Sequence, residues 1–450
     1  MRQPATRQTM TRLLAGGLLL AAVQQQWLLT RPPRLLELKA SGASSGPAAL
    51  DLRFSRPMQR RSLEQASRLQ PALAHQWLGE ANPLRLLLSS GQRLRGPLAL
   101  LLQGQDLRHQ GLARQLWHWD PRPRLLAVVP RGQGEQLQLL GHDNRWRTLS
   151  PVLPRILTVQ PLGDGSGVAL VSGGDDGADP ANQDVWLLPL DQRNLSRTAL
   201  AEPRPGRLQR LNRERLIFAH LSSNRRGDLL IQASSRSAPR GSTQLRQRDG
   251  RTRTLPLKAS GPMQLLPEGG ALVMPELEGL SLRSLPGGPE RRQILPGSRD
   301  LSSFCPVSGR ALLVRHWPDF RRSLELVEPG QPPRQLWLGS AAVLGSACDR
   351  GGERVWLLLS EWQGQQRSEL LALDRRGRVL QRRMLRGWQV EPGAPLLFDP
   401  TGRQLLISLR PDSPNRGSVL PPQPVLIDAT SLELRPIPMP SRLALWLPAS

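Results

Sequence analysis

Four aspartates, Asp175, Asp176, Asp179 and Asp184, crowd one short loop of a chain that is otherwise strongly basic. Clustered carboxylates are the donors that a hard cation such as calcium selects, but their spacing does not match the alternating ligands of an EF-hand. The loop is therefore read first as a solvated acidic turn, with calcium as the alternative. Cys305 and Cys348 are the only cysteines, and no C-x-x-C pair exists to suggest zinc or thioredoxin-like chemistry. The histidines, His75, His109, His118, His142, His220 and His316, include no i, i+4 pair and no H-E-x-x-H, so a hydrolytic metal site is not indicated. Gly42-Ala43-Ser44-Ser45-Gly46 fits G-x-S-x-G, yet it is a small-residue turn with no α/β unit after it, and the match is read as chance. Lys39 and Lys258 are the only lysines and neither follows a glycine-rich turn, which excludes a phosphate-binding loop. No cofactor is implied. The twelve tryptophans either fill gaps between sheets or stack on sugars at a binding face.

The elements that would position such residues begin with charge. The formal net charge is +25 and nearly all of it is arginine, spread from Arg2 to Arg442 rather than gathered on one element with interleaved aromatics. That distribution argues against nucleic acid. It leaves anionic lipid headgroups and acidic envelope polymers as the partners that attract arginine through the same salt-sensitive Coulombic interaction.

Arg2, Arg7 and Arg12 precede an apolar run from Leu13 to Val23, the charge and polarity order of an export signal. Gln24, Gln25 and Gln26 follow without a small-x-small site, and extension through Trp27, Leu28 and Leu29 gives 17 residues, at the short limit for spanning a bilayer. Residues 1–33 are accordingly expected to form a hydrophobic helix, either a signal peptide or an uncleaved membrane anchor. The anchor would place the remainder outside the inner membrane, facing the periplasm or the cell exterior. A buried helix opening a soluble domain is the competing reading.

Between residues 34 and 111, apolar runs at Leu35–Leu38, Leu50–Phe54, Leu84–Leu88 and Leu98–Leu102 have strand lengths and are separated by Gly or Pro. One short helix is readable, with Ser62 as N-cap and Leu63, Ala66 and Leu69 at three-residue spacing. Leu52-Arg53-Phe54-Ser55-Arg56-Pro57-Met58 followed by Arg61-Ser62-Leu63-Glu64, then Trp77 and the closing Asp106-Leu107-Arg108-His109-Gln110-Gly111, resembles the bacterial Ig-like domain of the SbsA type. Where that family has a Tyr in its last strand, this chain has leucines. The resemblance implies a small β-sandwich used as a spacer or adhesion module, without catalysis.

From residue 112 to 450 a weak repeat appears, in which each unit has a turn, an apolar strand, a second strand and a basic tail. The apolar strands begin at Leu125, Val168, Leu229, Ala271, Ala311, Val355 and Leu405, spaced by 43, 61, 42, 40, 44 and 50 residues. Most spacings suit a four-stranded propeller blade, and the 61-residue gap demands an insertion. Gly163-Asp164-Gly165-Ser166-Gly167, Pro267-Glu268-Gly269-Gly270, Ser308-Gly309-Arg310 and Asp399-Pro400-Thr401-Gly402 supply the turns, and Asp184–Leu188, Ser323–Val327, Glu369–Asp374 and Pro424–Asp428 the second strands. The pattern resembles TolB-type β-propeller blades, about seven of them, with two β-sandwiches as the other reading. Cys305 and Cys348 each stand seven residues before the aligned positions Leu312 and Val355. Equivalent positions in neighbouring blades lie side by side near a ring axis. A disulfide is permitted there if the Cα atoms approach within about 7 Å in an oxidising compartment; two buried thiols are the alternative.

The sequence thus predicts a mainly β chain: an N-terminal hydrophobic helix, a small Ig-like β-sandwich and a C-terminal β-propeller. Its expected function is that of a membrane-anchored, non-enzymatic envelope protein whose propeller binds a protein or an acidic polymer. The rival reading is a propeller hydrolase or lyase acting on an acidic glycan, with Asp164, Glu268 or Asp399 contributing from turns. An enzyme should gather two carboxylates in one pocket, whereas a binder should present a broad basic or aromatic face.

Overall fold

The computed structural model describes residues 5–43, 45–173, 182–257, 261–286, 291–306, 309–362, 364, 366–412 and 420–449. The chain forms two compact units. Met1–Ser41, Ala49–Leu88 and Leu98–Trp117 make up the first, and Gly42–Ala48, Ser89–Pro97 and His118–Ser450 the second.

The first unit opens with a 26-residue helix, Ala5–Thr30. Among the described residues no helix is long and apolar enough to cross a membrane. Gly16 and Gly17 contribute no apolar surface and the three consecutive glutamines interrupt the run before Trp27. Strands follow in two sheets. Leu35–Ser41, Ala49–Phe54, Leu84–Leu88 and His75–Leu78 form one in that spatial order, and Arg68–Gln70, Leu98–Gln105 and Gly111–Trp119 are neighbours in the other. Leu98, Leu100 and Leu102 are buried while the residues between them are not, the period of two that puts one face of a strand on a core. The short helix Arg60–Ala66 packs on this strand. A Cβ at Gly104 would come within 2.9 Å of the Leu63 side chain, so glycine is what admits the helix.

Two details of the helix differ from the sequence expectation. Gln59 occupies the N-cap without a side-chain bond. Ser62 lies inside the helix, where its hydroxyl accepts from the Gln105 N–H at 3.0 Å. Ser67 ends the helix in extended conformation and fastens it to the sheet, donating to the Gln103 carbonyl at 2.9 Å and accepting from the Gln103 N–H at 3.2 Å. Leu69 therefore belongs to a strand.

Among the described residues the second unit contains seven sheets of four or five strands, each formed by consecutive strands of the chain except one that takes a strand from the far end and one that skips Leu195–Ser196. From the innermost strand outwards, blade 2 is Arg155–Pro161, Gly167–Gly173, Asp184–Arg193 and Ala201–Pro205. Blade 3 is Leu216–Ser223, Leu229–Ser235, Ser242–Arg246 and Thr252–Leu255. Blade 4 is Gln264–Leu265, Ala271–Glu276, Gly279–Ser284 and Arg292–Pro296, and blade 5 is Arg299–Cys305, Arg310–His316, Arg322–Val327 and Arg334–Gly339. Blade 6 is Ala342–Cys348, Arg354–Trp362, Gln366–Asp374 and Val379–Met384. Blade 7 is Trp388–Val390 with Leu397–Asp399, then Gln404–Pro411, Gln423–Asp428 and Leu434–Pro436. Blade 1 takes its innermost strand, Arg442–Leu447, from the far end of the chain, and adds Arg124–Arg131, Gly134–Leu140 and Trp146–Thr148.

These sheets close on themselves. Leu126 and Leu139 of blade 1 share a core with Ile156 and Val168 of blade 2, and Val171 and Val185 of blade 2 pack with Leu221 and Ile231 of blade 3. Leu230 and Leu245 meet Leu265 and Met274 of blade 4, whose strand Gly279–Ser284 lies against Arg299–Cys305 of blade 5. Leu312 and Leu326 meet Leu357 and Leu371 of blade 6, Trp356 and Leu370 meet Leu405 and Ile427 of blade 7, and Leu406 and Leu426 return to Leu125 and Ala127 of blade 1. A cyclic series of seven such interfaces is a β-propeller. Every apolar strand begun in the sequence repeat is the second strand of its blade. The 61-residue gap is filled by the acidic loop and by the strands Ala201–Pro205 and Gln209–Arg210 of blade 2.

Cys305 and Cys348 end the innermost strands of blades 5 and 6, buried in their shared core, with Cα atoms 5.3 Å apart and the sulfurs bonded. The bond closes a loop across one blade and holds two neighbours at their inner edges. Replacing both residues (C305S/C348S) is expected to lower stability by about 2–4 kcal/mol, measured by urea denaturation of the oxidised parent and the variant.

Candidate anion-binding face

In blades 2, 3, 4, 6 and 7 the turn joining the first and second strands emerges on the same side of the ring. The sequence specifies these turns by a side chain that bonds the backbone ahead of it. Asp399 accepts from the Thr401 N–H at 2.8 Å, its hydroxyl at 2.6 Å and the Gly402 N–H at 2.9 Å. Asp164 accepts from the Ser166 N–H at 3.0 Å and hydroxyl at 2.6 Å. Asn224 accepts from the N–H groups of Arg226 and Asp228, each at 3.0 Å, and Asp349 from the Glu353 N–H at 2.8 Å. The turns between third and fourth strands lie on this side too, and Asp428 shapes one of them by accepting from Thr430 and Ser431.

Two loops are built into the same side. Leu94 donates its N–H to the Thr401 carbonyl at 2.8 Å, Arg403 donates to the Gly91 carbonyl at 2.6 Å, and Arg93 pairs with Asp428 at 3.3 Å. In the other loop, a Cβ at Gly42 would overlap the Arg225 guanidinium, while Arg350 reaches the carbonyl of fully buried Ala43 at 3.5 Å. Arg225 belongs to blade 3 and Arg350 to blade 6, three steps apart and as far as a seven-membered ring allows. Residues 42 and 43 therefore lie across the mouth of the ring. The G-x-S-x-G segment has a structural place there; its Ser44 lies outside the described residues.

Arginines crowd this side. A cavity of about 450 Å³ is lined by Arg93, Arg95, Arg122, His142, Gln404 and Arg435, among others. Asp120, almost fully buried, organises one wall. It accepts from the Arg122 Nε at 2.9 Å and pairs with the same guanidinium at 2.8 Å and with His142 Nδ1 at 2.9 Å. Arg122 also donates to the Arg95 carbonyl at 2.9 Å. Arg95 and Arg435 are exposed and have no ion-pair partner among the described residues. A second cavity, about 520 Å³, is lined by Arg350, Arg354, Arg403, Gln92, Trp356 and Phe398 among others. Its aromatic pair stacks at 4.6 Å. The Arg350 Nε is buried without a hydrogen-bond partner. Burial, reinforced by the Arg225 charge, pushes the Arg350 guanidinium down to about 10, against the pull of Asp399. Burial also pushes the carboxyls of Asp399 and Asp349 up, opposed by hydrogen bonds from their own turns.

The carboxylates expected to serve catalysis stay apart. Asp164, Glu268 and Asp399 stand in the turns of blades 2, 4 and 7. Asp164 pairs with Arg248 at 3.2 Å, Glu268 with Arg225 at 3.0 Å, and Asp399 is consumed by its own turn. In the second cavity, Asp349 faces Glu353, which is itself held by Arg375 at 3.2 Å. Of the acidic loop, Asp175, Asp176 and Asp179 lie outside the described residues. Asp184 is engaged by Arg210 at 2.6 Å, Arg215 at 2.5 Å and Asn212 at 2.8 Å. Among the described residues no cluster of His, Cys, Asp or Glu could hold a metal ion. The arginines of the first cavity were not singled out from the sequence, since nothing local distinguishes Arg95 or Arg435 from other arginines.

Burial raises the Asp120 carboxyl, but hydrogen bonds from Arg122 and His142 and their charges outweigh it and hold the group well below its ordinary value of 3.8. A depressed carboxyl stabilises the fold above its unfolded value, and that contribution disappears as pH falls towards the folded one. D120N is expected to cost about 1–3 kcal/mol at neutral pH, and the gap from the parent should narrow as pH drops below 3.8. Thermal melts of both proteins across that range check it.

No known family model and no curated protein matches the chain. Among solved structures it is similar to an uncharacterized protein of Listeria monocytogenes EGD-e, at 10% identity over 71% of this chain and 92% of that one, with a TM-score of 0.48. It is similar to the β-propeller domain of the Trilobed protease of Pyrococcus furiosus, at 11% identity over 77% and 94%, TM-score 0.45. A third similar structure is the BP39L lectin of Burkholderia pseudomallei, at 11% identity over 72% and 96%, TM-score 0.46.

Proposed function

We propose that the protein is a non-enzymatic component of the cell envelope whose propeller binds a segment of an acidic polymer on the arginine-rich side of the ring. The observation that carries this reading is the first cavity, where Arg95 and Arg435 have no ion-pair partner among the described residues and stand beside Arg93, Arg122 and His142. Guanidiniums with unused donors match carboxylate or phosphate oxygens in both charge and fork geometry. Catalysis is not needed for this role, and the separation of Asp164, Glu268 and Asp399 favours binding over the hydrolase or lyase alternative. Placement outside the cytoplasm is supported by the Cys305–Cys348 bond, which oxidising compartments preserve, and by the basic and apolar order of the N-terminal segment. In this reading the first unit is a spacer of the Ig-like kind, and the helix Ala5–Thr30 directs export.

The test is titration of the full chain with polygalacturonate, a uronic-acid polymer, with neutral dextran as control. Binding should weaken steeply with added salt, dextran should not bind, and R95E/R435E should lose about tenfold or more in affinity, a step of about 1.4 kcal/mol. Undiminished affinity of the variant would remove the site from consideration, and appearance of shorter oligosaccharides in the mixture would establish the enzymatic alternative.

A further inference from the structure

The opposite side of the ring, formed by the hairpins between second and third strands and by the connections from one blade to the next, has a different character. Large apolar residues protrude from the same hairpin in three successive blades. Leu277 of blade 4 is 100% exposed, Phe320 of blade 5 is 89% exposed and Trp362 of blade 6 is 75% exposed. Leu338, Leu344 and Met384, each more than a third exposed, lie towards this same side of blades 5 and 6. On the arginine-rich side of those blades, the exposed large apolar residues are Val379 and Leu380.

Phe320 is held there at a conformational cost. Its φ is +62°, in the left-handed region that a bulky side chain disfavours. The turn is closed by Trp317 N–H to the Arg321 carbonyl and Phe320 N–H to the Trp317 carbonyl. The chain uses this pair of bonds elsewhere, with glycine at the equivalent position in three turns (Gly227, Gly250 and Gly377) and a polar residue in two (His109 and Asn144). Among the described turns of this kind, Phe320 is the one that places a large apolar side chain there. A solvent-facing phenylalanine in the left-handed region is strain that a binding role would explain.

We infer that this rim docks on the surface of a lipid bilayer, with Leu277, Phe320 and Trp362 inserting at the level of the headgroups. Single apolar tips carried on separate hairpins suit a deformable interface, and Trp and Phe are residues that bilayer interfaces favour. The charges agree with an anionic surface. Asp319 is occupied by Arg321 at 2.7 Å, Asp300 by His316 at 2.8 Å, and Glu276 by Arg283 at 2.8 Å and by Arg292. Glu278 has no ion pair among the described residues, but neither do Arg322 and Arg386 on the same side. This inference is independent of polymer binding, which uses the other side.

The test labels the full chain at an introduced cysteine, F320C, with an environment-sensitive fluorophore; Cys305 and Cys348 are bonded to each other and do not compete. V379C on the arginine-rich side is the control. Vesicles of phosphatidylethanolamine and phosphatidylglycerol should blue-shift the label at 320 and leave that at 379 unchanged, a contrast the N-terminal helix could not produce by itself. In parallel, F320G should raise the melting temperature, while W362S should reduce the vesicle response of the label at 320 by about tenfold in lipid concentration. No shift at 320, equal shifts at both positions, or a shift produced only by an envelope protein extract and not by vesicles would each overturn the proposal.

Discussion

A sheet that is apolar on both faces cannot stop at either face, and this constraint governs the second unit. In Gln404–Pro411 consecutive residues serve opposite neighbours: Leu405 and Ile407 pack towards blade 6, and Leu406 towards blade 1. The same division recurs from blade to blade, so an open row would leave two greasy ends, and only a ring leaves none. Closure depends on Arg442–Leu447, which pairs with Arg124–Arg131 and buries Leu447 against blades 1 and 2. Arg442 fixes the register by forking both oxygens of Glu135, at 2.8 and 2.6 Å, and by reaching the Ile156 carbonyl at 2.5 Å. A planar guanidinium between two adjacent blades suits this task because its donors are held at fixed angles.

The ring also dictates where side chains can meet. Because each blade runs outward from the axis in the same order, its turns fall on the same two sides every time, and residues remote in sequence become neighbours. Arg93, Arg122, His142, Gln404 and Arg435 line one cavity although they span most of the chain. Their mutual repulsion is tolerated because Asp120 and Asp428 neutralise part of it from beneath, leaving the outermost guanidiniums for a ligand. The loop at residues 42 and 43 contributes in another way. Small residues there let Arg225 and Arg350 approach across the mouth, and a larger side chain at Gly42 would collide with a guanidinium.

What could be read in the sequence follows from burial. The second strands are covered on both faces and appear as uninterrupted apolar runs such as Val168–Val171 and Leu357–Leu359. Third strands were legible in blades 2, 5, 6 and 7, where apolar residues dominate, but not in blades 1, 3 and 4, where polar residues interrupt them as in Ser242–Arg246. First strands were not, since they line the axis and mix polar with apolar residues, as in Arg299–Cys305, or shrink to two residues, as at Gln264–Leu265. Fourth strands such as Val379–Met384 face solvent almost throughout and read as basic tails. The closing strand could not be paired with its partner by any local pattern. Ser62 was misplaced for a related reason: a serine ahead of an apolar spacing has the form of a cap, yet its hydroxyl is taken by a strand more than forty residues later. The candidate site was least legible of all, because a spread of arginines along the chain conceals their convergence in space.

Arginine is abundant enough to serve two purposes, and the fold separates them by side. Where carboxylates are within reach it is structural, as in the buried pair Arg299–Glu325 at 2.8 Å or Arg124 with Glu202 at 2.6 Å. Such pairs survive desolvation only because further hydrogen bonds complete them, as Asn194 does for Arg124 at 2.9 Å. Where turns converge, carboxylates are spent on shaping backbone: Asp399 and Asp349 bond their own loops and are poorly placed to neutralise nearby guanidiniums. The positive side is thus a by-product of the turn chemistry that builds it. On the other side the hairpin tips at Leu277, Phe320 and Trp362 carry exposed apolar residues that folding does not require. A ring whose two sides differ in this manner presents charge in one direction and hydrocarbon in the other, and that polarity comes from the connection order of the strands rather than from any single residue.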